Sequence, residues 1–469
     1  MSGYPPSRRN RLNDALAIIL VLLVGAAPLL LGGNRPILWL AGSALIGLIA
    51  LSYAMLLLAS RGVLRVQPRQ VPLEAALVAV LSVFLLLQAL PLANLGFGSG
   101  FRTVDGSPLW APAFSLAPGE TLLMLVRTLG YALFFVLALQ VAANRRRARL
   151  ILVALTLVVS FQALVGLLAL GFGDTMVGLP KTAYFGSATG GFVNRNSFAD
   201  FMAMGLVAGV AALIGVLAAD ENDSLGLSDF AHPLPALLIL CLLTMGAALF
   251  ASHSRMGSVS ALAGIAVTLG LGLGKPPTAR NRALLAIAGA CLLAFPLILF
   301  GGGLIERLGG VEAAGDVRAS LYAQVAGMIA SRPFSGYGGG SFALAFPLFH
   351  APPVSTDVVW DKAHSTYLGL WADLGIVFGS LPPLVLALIG CRVWRGRARA
   401  RREAAAALGA LCAMALHATV DFGMEMTANV YLLLALLAIG CAGSFRRQQR
   451  AERESHPQGS GAQPLRELP

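Results

Sequence analysis

Apolar runs of membrane-spanning length recur from one end of this chain to the other, and that recurrence decides what it can fold into. A helix crosses the hydrocarbon core of a bilayer in about 20 residues. Runs near that length fall at 15–33, 36–59, 72–91, 120–142, 150–171, 197–218, 235–252, 256–274, 283–303, 364–390, 403–421 and 426–444. They are continuous rather than alternating, which predicts helices and not a barrel. Only 12% of the 469 residues are charged and 57% are hydrophobic, where a soluble chain carries about 25% charged residues. The expected fold is all-α: a polytopic membrane protein of about twelve transmembrane helices with one large periplasmic loop.

The formal charge is +12, and its placement argues against nucleic acid as the partner. Most of the 34 Lys and Arg cluster in alternate short loops and at the ends: Arg8 to Arg11, Arg61 to Arg69, Arg145 to Arg149, Lys275 to Arg282, Arg392 to Arg402, and the tail from Arg446. Basic residues gathered on one side mark the cytoplasmic face. The expectation is therefore a multi-pass membrane protein with both termini cytoplasmic. One loop on that side, Ala219 to Pro233, is acidic and carries no base, but acidic residues weigh little in the rule. The start resembles the charged region of a signal peptide, yet no small-residue cleavage site follows, so it reads as a retained first helix. Cys241, Cys291, Cys391, Cys412 and Cys441 lie in apolar runs or at their cytoplasmic ends. That pattern implies neither a disulfide framework nor a zinc site.

Leu304 to Gly375 interrupts the apolar pattern with a long polar and mixed stretch. The expected organisation is helices 1–9 over 1–303, a periplasmic loop domain with an amphipathic helix over 304–363, helices 10–12 over 364–444, and a disordered cytoplasmic tail over 445–469. Within the loop, Asp316 to Ala330 reads as a helix with Val317, Leu321, Val325 and Met328 on one face. Arg318 and Tyr322 share a side of it. Pro333 stops that helix. The glycine run that follows Arg332 permits a tight backbone path, but it lacks the Gly-Lys-Ser/Thr ending of a phosphate-binding loop.

Several polar residues fall at the outer ends of helices. Asn194, Arg195 and Asn196 stand at the mouth of the sixth, where free N–H groups and a fixed guanidinium favour an anion; Asn196 or Ser197 serves equally as a helix cap. Arg255 lies in the very short turn between the seventh and eighth helices, where an ionisable residue is a functional candidate. His253 beside it reads as a solvated interface residue. Arg127 lies within the fourth helix, facing the bundle as a structural pair or a ligand contact. His364 opens the tenth helix, and a helix N-terminus favours the neutral imidazole that accepts a proton, with Asp361 and Asp373 near enough in sequence to orient it. His417, Asp421 and Glu425, four apart, form one polar stripe if the helix continues.

Taken in order, Gly-Phe-Val-Asn-Arg-Asn-Ser-Phe-Ala from Gly191, Ser-Arg-Met-Gly from Ser254, the Arg318 helix, Arg-Pro-Phe-Ser-Gly-Tyr-Gly from Arg332, and Ala-His-Ser-Thr-Tyr-Leu from Ala363 with Leu-Gly-Ile after it resemble the O-antigen ligase and O-antigen polymerase superfamily of bacterial membrane glycosyltransferases. The resemblance covers about residues 185–380. One departure is Ser365, where family members commonly have Asn. The resemblance implies the lipid-sugar glycosyltransferase fold, with a periplasmic active site that needs no metal, nucleotide or other cofactor. The donor would be a glycan on undecaprenyl diphosphate and the acceptor a second glycan or lipid A core. Membrane lipid, a flippase and a chain-length regulator would be the partners. The family's arginines map onto Arg195, Arg255 and Arg318, and its histidine onto His364. Asn194, Asn196, Tyr322 and Arg332 are the further candidates for binding the diphosphate or sugar.

An Arg fork offsets charge on a leaving diphosphate as a metal ion does, so an inverting transfer with His364 as base follows. Polymerisation is slightly preferred, because nothing in the loop points to a bulky lipid A acceptor. Ligation to lipid A core and transfer to protein are the alternatives inside the class. A twelve-helix secondary transporter is the alternative outside it, disfavoured because no two-fold similarity between halves is visible.

Overall fold

The computed structural model describes residues 8–92, 105, 107, 113–177, 179–217, 233–273 and 311–455. Its first eight helices are α1 (Arg8–Leu29), α2 (Pro36–Ala59), α3 (Pro72–Ala89), α4 (Pro118–Ala142), α5 (Arg145–Gly171), α6 (Arg195–Leu217), α7 (Pro233–Ala251) and α8 (Arg255–Gly272). After the expected ninth span, which lies outside the described residues, come α9 (Val311–Ser331), the single turn α10 (Phe342–Ala345), α11 (Thr366–Gly379), α12 (Leu381–Gly396), α13 (Arg401–His417) and α14 (Thr427–Ser455). Two paired two-residue strands, β1 (Thr175–Met176) and β2 (Leu179–Pro180), make a small hairpin beyond the end of α5.

Among the described residues nine helices are long and apolar enough to cross a membrane, or ten if α11 and α12 count as one broken span. The protein is thus an all-α multi-pass membrane protein. The tenth expected helix, read as one rod over 364–390, is two helices bent by 67°. The rod is also interrupted earlier: Gly375 sits at φ 72, ψ 168 inside α11, where its N-terminal neighbours are drawn to the loop by Tyr337 N to Ala372 O and Gly338 N to Asp373 O, 3.0 and 2.8 Å. The last helix runs on to Ser455, past the expected membrane end; residues 456–469 lie outside the described ones.

α6 and α14 form the centre of the bundle, with 83% and 94% of their spanning windows buried, whereas α2 is only 17% buried and faces lipid. Helices in lipid associate through close packing rather than hydrophobic exclusion, so small residues mark their crossings. α13, with Ala404 to Ala407 all buried, shows this against α8: a side chain at Gly264 would meet the Gly409 carbonyl oxygen at 2.7 Å.

The two ends of the bundle differ in character. At one end the arginine-rich loops are tied to acids across helices. Arg147 pairs with Asp14 at 2.7 Å, Arg149 with Glu403 at 3.5 Å, and Arg392 grips both oxygens of buried Glu74 at 2.9 and 3.1 Å. At the other end lie the starts of α4, α6, α8, α11 and α14, together with an outer layer built on α9. Leu321, Val325 and Met328 are fully buried there against Tyr337, Phe346 and Val354, as the apolar face of that helix requires.

The glycine run after Arg332 is a clasp, not a loop around a ligand. Gly338 N donates to Asp373 O at 2.8 Å and Ile376 N to Pro333 O at 2.7 Å. Leu116 N donates to Tyr337 O. Gln88 Nε2 donates to Ser335 O at 2.7 Å, and Thr121 Oγ1 to Gly339 O at 2.9 Å. Three spans, α3, α4 and α11, are joined through this one stretch of backbone.

Candidate active site

α6 is positioned by the chain that leads into it. Phe192 and Phe198 are fully buried, and Gly191 is packed directly on the end of α1 at Pro28. The cap is Asn194, not Asn196 or Ser197: its Oδ1 accepts the Asn196 N–H at 2.7 Å. Arg195 is therefore the first residue of the helix. Its guanidinium lies over the Tyr184 ring at 5.3 Å and its Nη1 reaches Ser187 Oγ at 3.5 Å.

Ser187 Oγ also contacts His253 Nδ1 at 3.3 Å, which brings the α7–α8 turn to the same place. Ser254 caps α8, accepting the Gly257 N–H at 3.2 Å, and Arg255 is the first residue of that helix. A side chain at Gly257 would meet Ala199 Cβ at 2.5 Å, so α6 and α8 begin in contact. Two arginines thus start two touching helices, where free N–H groups and the positive ends of the dipoles add to the guanidiniums. This is an arrangement for an anion.

His364 stands two residues before α11. Ser365 caps that helix, accepting from Leu368 N at 3.5 Å, so the serine at the family's Asn position has a structural task. His364 adopts φ 51, and Tyr184 and His253 share that left-handed region at φ 60 and 52. Such conformations are costly for non-glycine residues and gather at functional sites. Tyr322 on α9 donates its O–H to the His364 carbonyl at 2.8 Å. The imidazole is flanked edge-to-face by Trp360 and Phe422 at 5.6 and 5.3 Å, and its Nδ1 is buried with no hydrogen-bond partner among the described residues. Burial holds its pKa below the ordinary His value; Asp421 pulls the other way and Arg318 adds to the effect of burial. The ring is neutral near pH 7, the form that accepts a proton.

The residue that gathers these parts is Asp421. It is fully buried; its Oδ2 accepts from Asn196 Nδ2 at 2.7 Å and its carbonyl accepts from Thr366 N and Oγ1 at 3.0 and 3.1 Å. One carboxylate residue thereby ties the mouth of α6 to the mouth of α11. The stripe expected of His417, Asp421 and Glu425 does not form, because α13 ends at His417 and the next two lie in the turn beyond it. Each instead has its own partner: His417 pairs with Asp200 and Asp421 with Asn196, both on α6, and Glu425 pairs with Lys362. Arg127 is likewise a structural link, stacked on Trp39 at 4.1 Å and donating to Glu425 O at 2.9 Å.

Of the residues expected to act, Arg195, Asn196, Arg318, Tyr322 and His364 share the neighbourhood of Asp421 and Tyr184. Arg255 joins it through the His253 turn. Asn194 turns inward as a cap. Arg332 lies over Tyr337 at 5.2 Å, in the clasp. Asp373, a sequence candidate to orient His364, is buried under the same clasp and accepts from Gly340 N at 2.8 Å; the carboxylate whose charge bears most on the imidazole is that of Asp421.

The family described as O-antigen ligase matches residues 240–382. That span holds Arg255, Arg318, Tyr322, Arg332 and His364, while Asn194 to Asn196 and Asp421 lie outside it. No curated protein matches the chain. The matched segment supplies the histidine and two of the arginines, the flanking helices bring the remaining candidates to the same place, and the match supports the resemblance to the O-antigen ligase and polymerase superfamily.

Proposed function

We propose that this protein is a glycosyltransferase that moves a glycan from undecaprenyl diphosphate to an acceptor hydroxyl, at the periplasmic end of the bundle. The observation that carries the reading is the pairing of two helix-initial arginines, Arg195 and Arg255, with a half-buried neutral histidine within a family-matched segment. The bond between the anomeric carbon and the diphosphate oxygen breaks, and its electron pair leaves on the diphosphate. Arg195 and Arg255, with Arg318, stabilise that charge. The acceptor oxygen forms the new bond from the opposite side, inverting the carbon, and its proton passes to His364. The family match over residues 240–382 supports the glycosyltransferase class, and the clustering of arginines at the other end of the bundle supports the periplasmic orientation. Flippase and chain-length regulator are the partners this reaction calls for. Polymer growth is the preferred form of the reaction and ligation to lipid A core the alternative.

The test is the glycan profile of a deletion strain complemented with wild type, His364→Ala or Arg255→Ala. Loss of long polymer with single lipid-linked repeats remaining identifies polymer growth. Long polymer that stays on undecaprenyl diphosphate and never reaches lipid A identifies ligation. A deletion strain with an unchanged profile, or a His364→Ala protein with full transfer in isolated membranes, overturns the proposal.

A further inference from the structure

We infer that Trp360, seconded by Phe422, is the subsite that holds the acceptor sugar against His364. The inference rests on the transfer reaction proposed above and assigns its acceptor side.

Trp360 is built as a fixed platform. Its Nε1 donates to Ser355 O at 2.8 Å, and the turn beneath it is closed by Asp357 N to Ser355 Oγ at 3.1 Å. The indole packs against the buried cluster of the α9 layer. The ring is nevertheless only half-buried, and the two residues before it, Val358 and Val359, are exposed, Val359 at 86%. Among the described residues nothing covers this apolar loop tip, which stands beside a proton acceptor at the polar mouth of the bundle.

Its chemistry fits a pyranose. The π face of an indole carries partial negative charge, and the C–H faces of a sugar ring carry partial positive charge. A ring pinned by its own N–H binds without losing rotamer freedom, so the contact is pre-organised. The contact with His364, edge-to-face at 5.6 Å and 75°, places a sugar laid on the indole within reach of the imidazole. Phe422 closes the other side of the imidazole at 5.3 Å and 74°. Among the described residues the imidazole Nδ1 has no hydrogen-bond partner, and the ring's flanking contacts are the aromatic pair. The division of labour follows. The arginines at the mouths of α6 and α8 take the donor diphosphate, and the aromatic wall on the far side of the histidine takes the acceptor.

The full-length protein in detergent is titrated with oligosaccharide released by partial hydrolysis of the host strain's own surface polysaccharide, and tryptophan fluorescence is read. Transfer is then measured with lipid-linked repeat units extracted from the same strain. Wild type is expected to give a saturable fluorescence change, and Trp360→Phe to lose that change while keeping most transfer. Trp360→Ala is expected to raise the acceptor KM about tenfold, the factor an aromatic contact supplies, with kcat and its pH profile held. A fluorescence change that survives in Trp360→Phe, a Trp360→Ala protein that matches wild type, or one that loses kcat with an altered pH profile at unchanged KM overturns the inference, the last because the indole would then only hold His364. A wild type that answers the oligosaccharide through Trp360 but transfers nothing keeps the sugar site and removes the glycosyltransferase reading.

Discussion

Alanine placed along the glycine clasp separates a structural stretch from a ligand loop. At Gly336 an added Cβ would collide with the backbone carbonyl of Asp373, and at Gly338 with the side chain of Ser115, and both residues have positive φ, 61 and 110. At Gly339 the added carbon would instead meet the ends of flexible side chains, Met124 Sδ at 2.8 Å and Leu85 Cδ2 at 2.9 Å, with no positive φ. A left-handed conformation costs an L-residue about 1–2 kcal/mol and overpacking about 1–3 kcal/mol. Gly336→Ala and Gly338→Ala are therefore expected to lose roughly 2–5 kcal/mol, and Gly339→Ala about 1 kcal/mol because Met and Leu ends shift easily. For a chain of this length that is a fall of roughly 2–10 °C in the unfolding midpoint of the detergent-solubilised protein. The assay is monodisperse yield after a heating series, with transfer measured on the surviving fraction. If the clasp joins α3, α4 and α11 as its hydrogen bonds indicate, the three variants rank by stability and the surviving protein retains its specific activity. If Gly336→Ala and Gly338→Ala melt like wild type and lose activity selectively, the stretch touches substrate and the structural account is wrong.

Two further expectations come from charge. Activity should rise with pH through the titration of His364 and be flat above the ordinary His range, since burial depresses its pKa and only the neutral ring accepts a proton. Asp421→Asn removes a charge that favours the imidazolium and should move the acid limb to lower pH; Arg318→Gln removes one that disfavours it and should move the limb to higher pH. Shifts in the same direction, or none, refute the assignment of His364 as the titrating group. At the opposite end of the bundle, Glu74→Ala leaves the Arg392 fork without its buried carboxylate and should cost about 3–5 kcal/mol; solubilised Glu74→Ala protein that melts like wild type rules this out.

What could be read from the chain follows the range of each interaction. Helix existence is local, so the spans among the described residues and the amphipathic α9, with Leu321, Val325 and Met328 inward, were legible from periodicity alone. The helix-initial arginines were legible too, because a cationic residue at the end of an apolar run is conspicuous in sequence. The interruption of the expected tenth helix at Gly375 was not, since Gly375 is ordinary in a membrane helix and only the clasp, some 40 residues earlier, pulls the chain open there. The same holds for Asp421. Spacing of four invites a helical stripe, but the stripe requires α13 to continue past His417, and the turn that ends it delivers Asp421 to Asn196, 225 positions away. Trp360 shows the same limit in another form: an aromatic near a predicted interface reads as part of an aromatic belt, and nothing local distinguishes a belt residue from one that faces the imidazole. Sequence therefore marked Arg195 and Arg255, which start α6 and α8 and which the proposed reaction sets against the diphosphate. Phe422 and Asp421 reach the neighbourhood of the histidine only through distant contacts, and the fold was needed to find them. On this division, substitutions at Arg195 and Arg255 should weaken any donor of this chemistry alike, while substitutions at Trp360 should discriminate among acceptors. Selectivity for the acceptor glycan is then written in the aromatic wall rather than in the arginines.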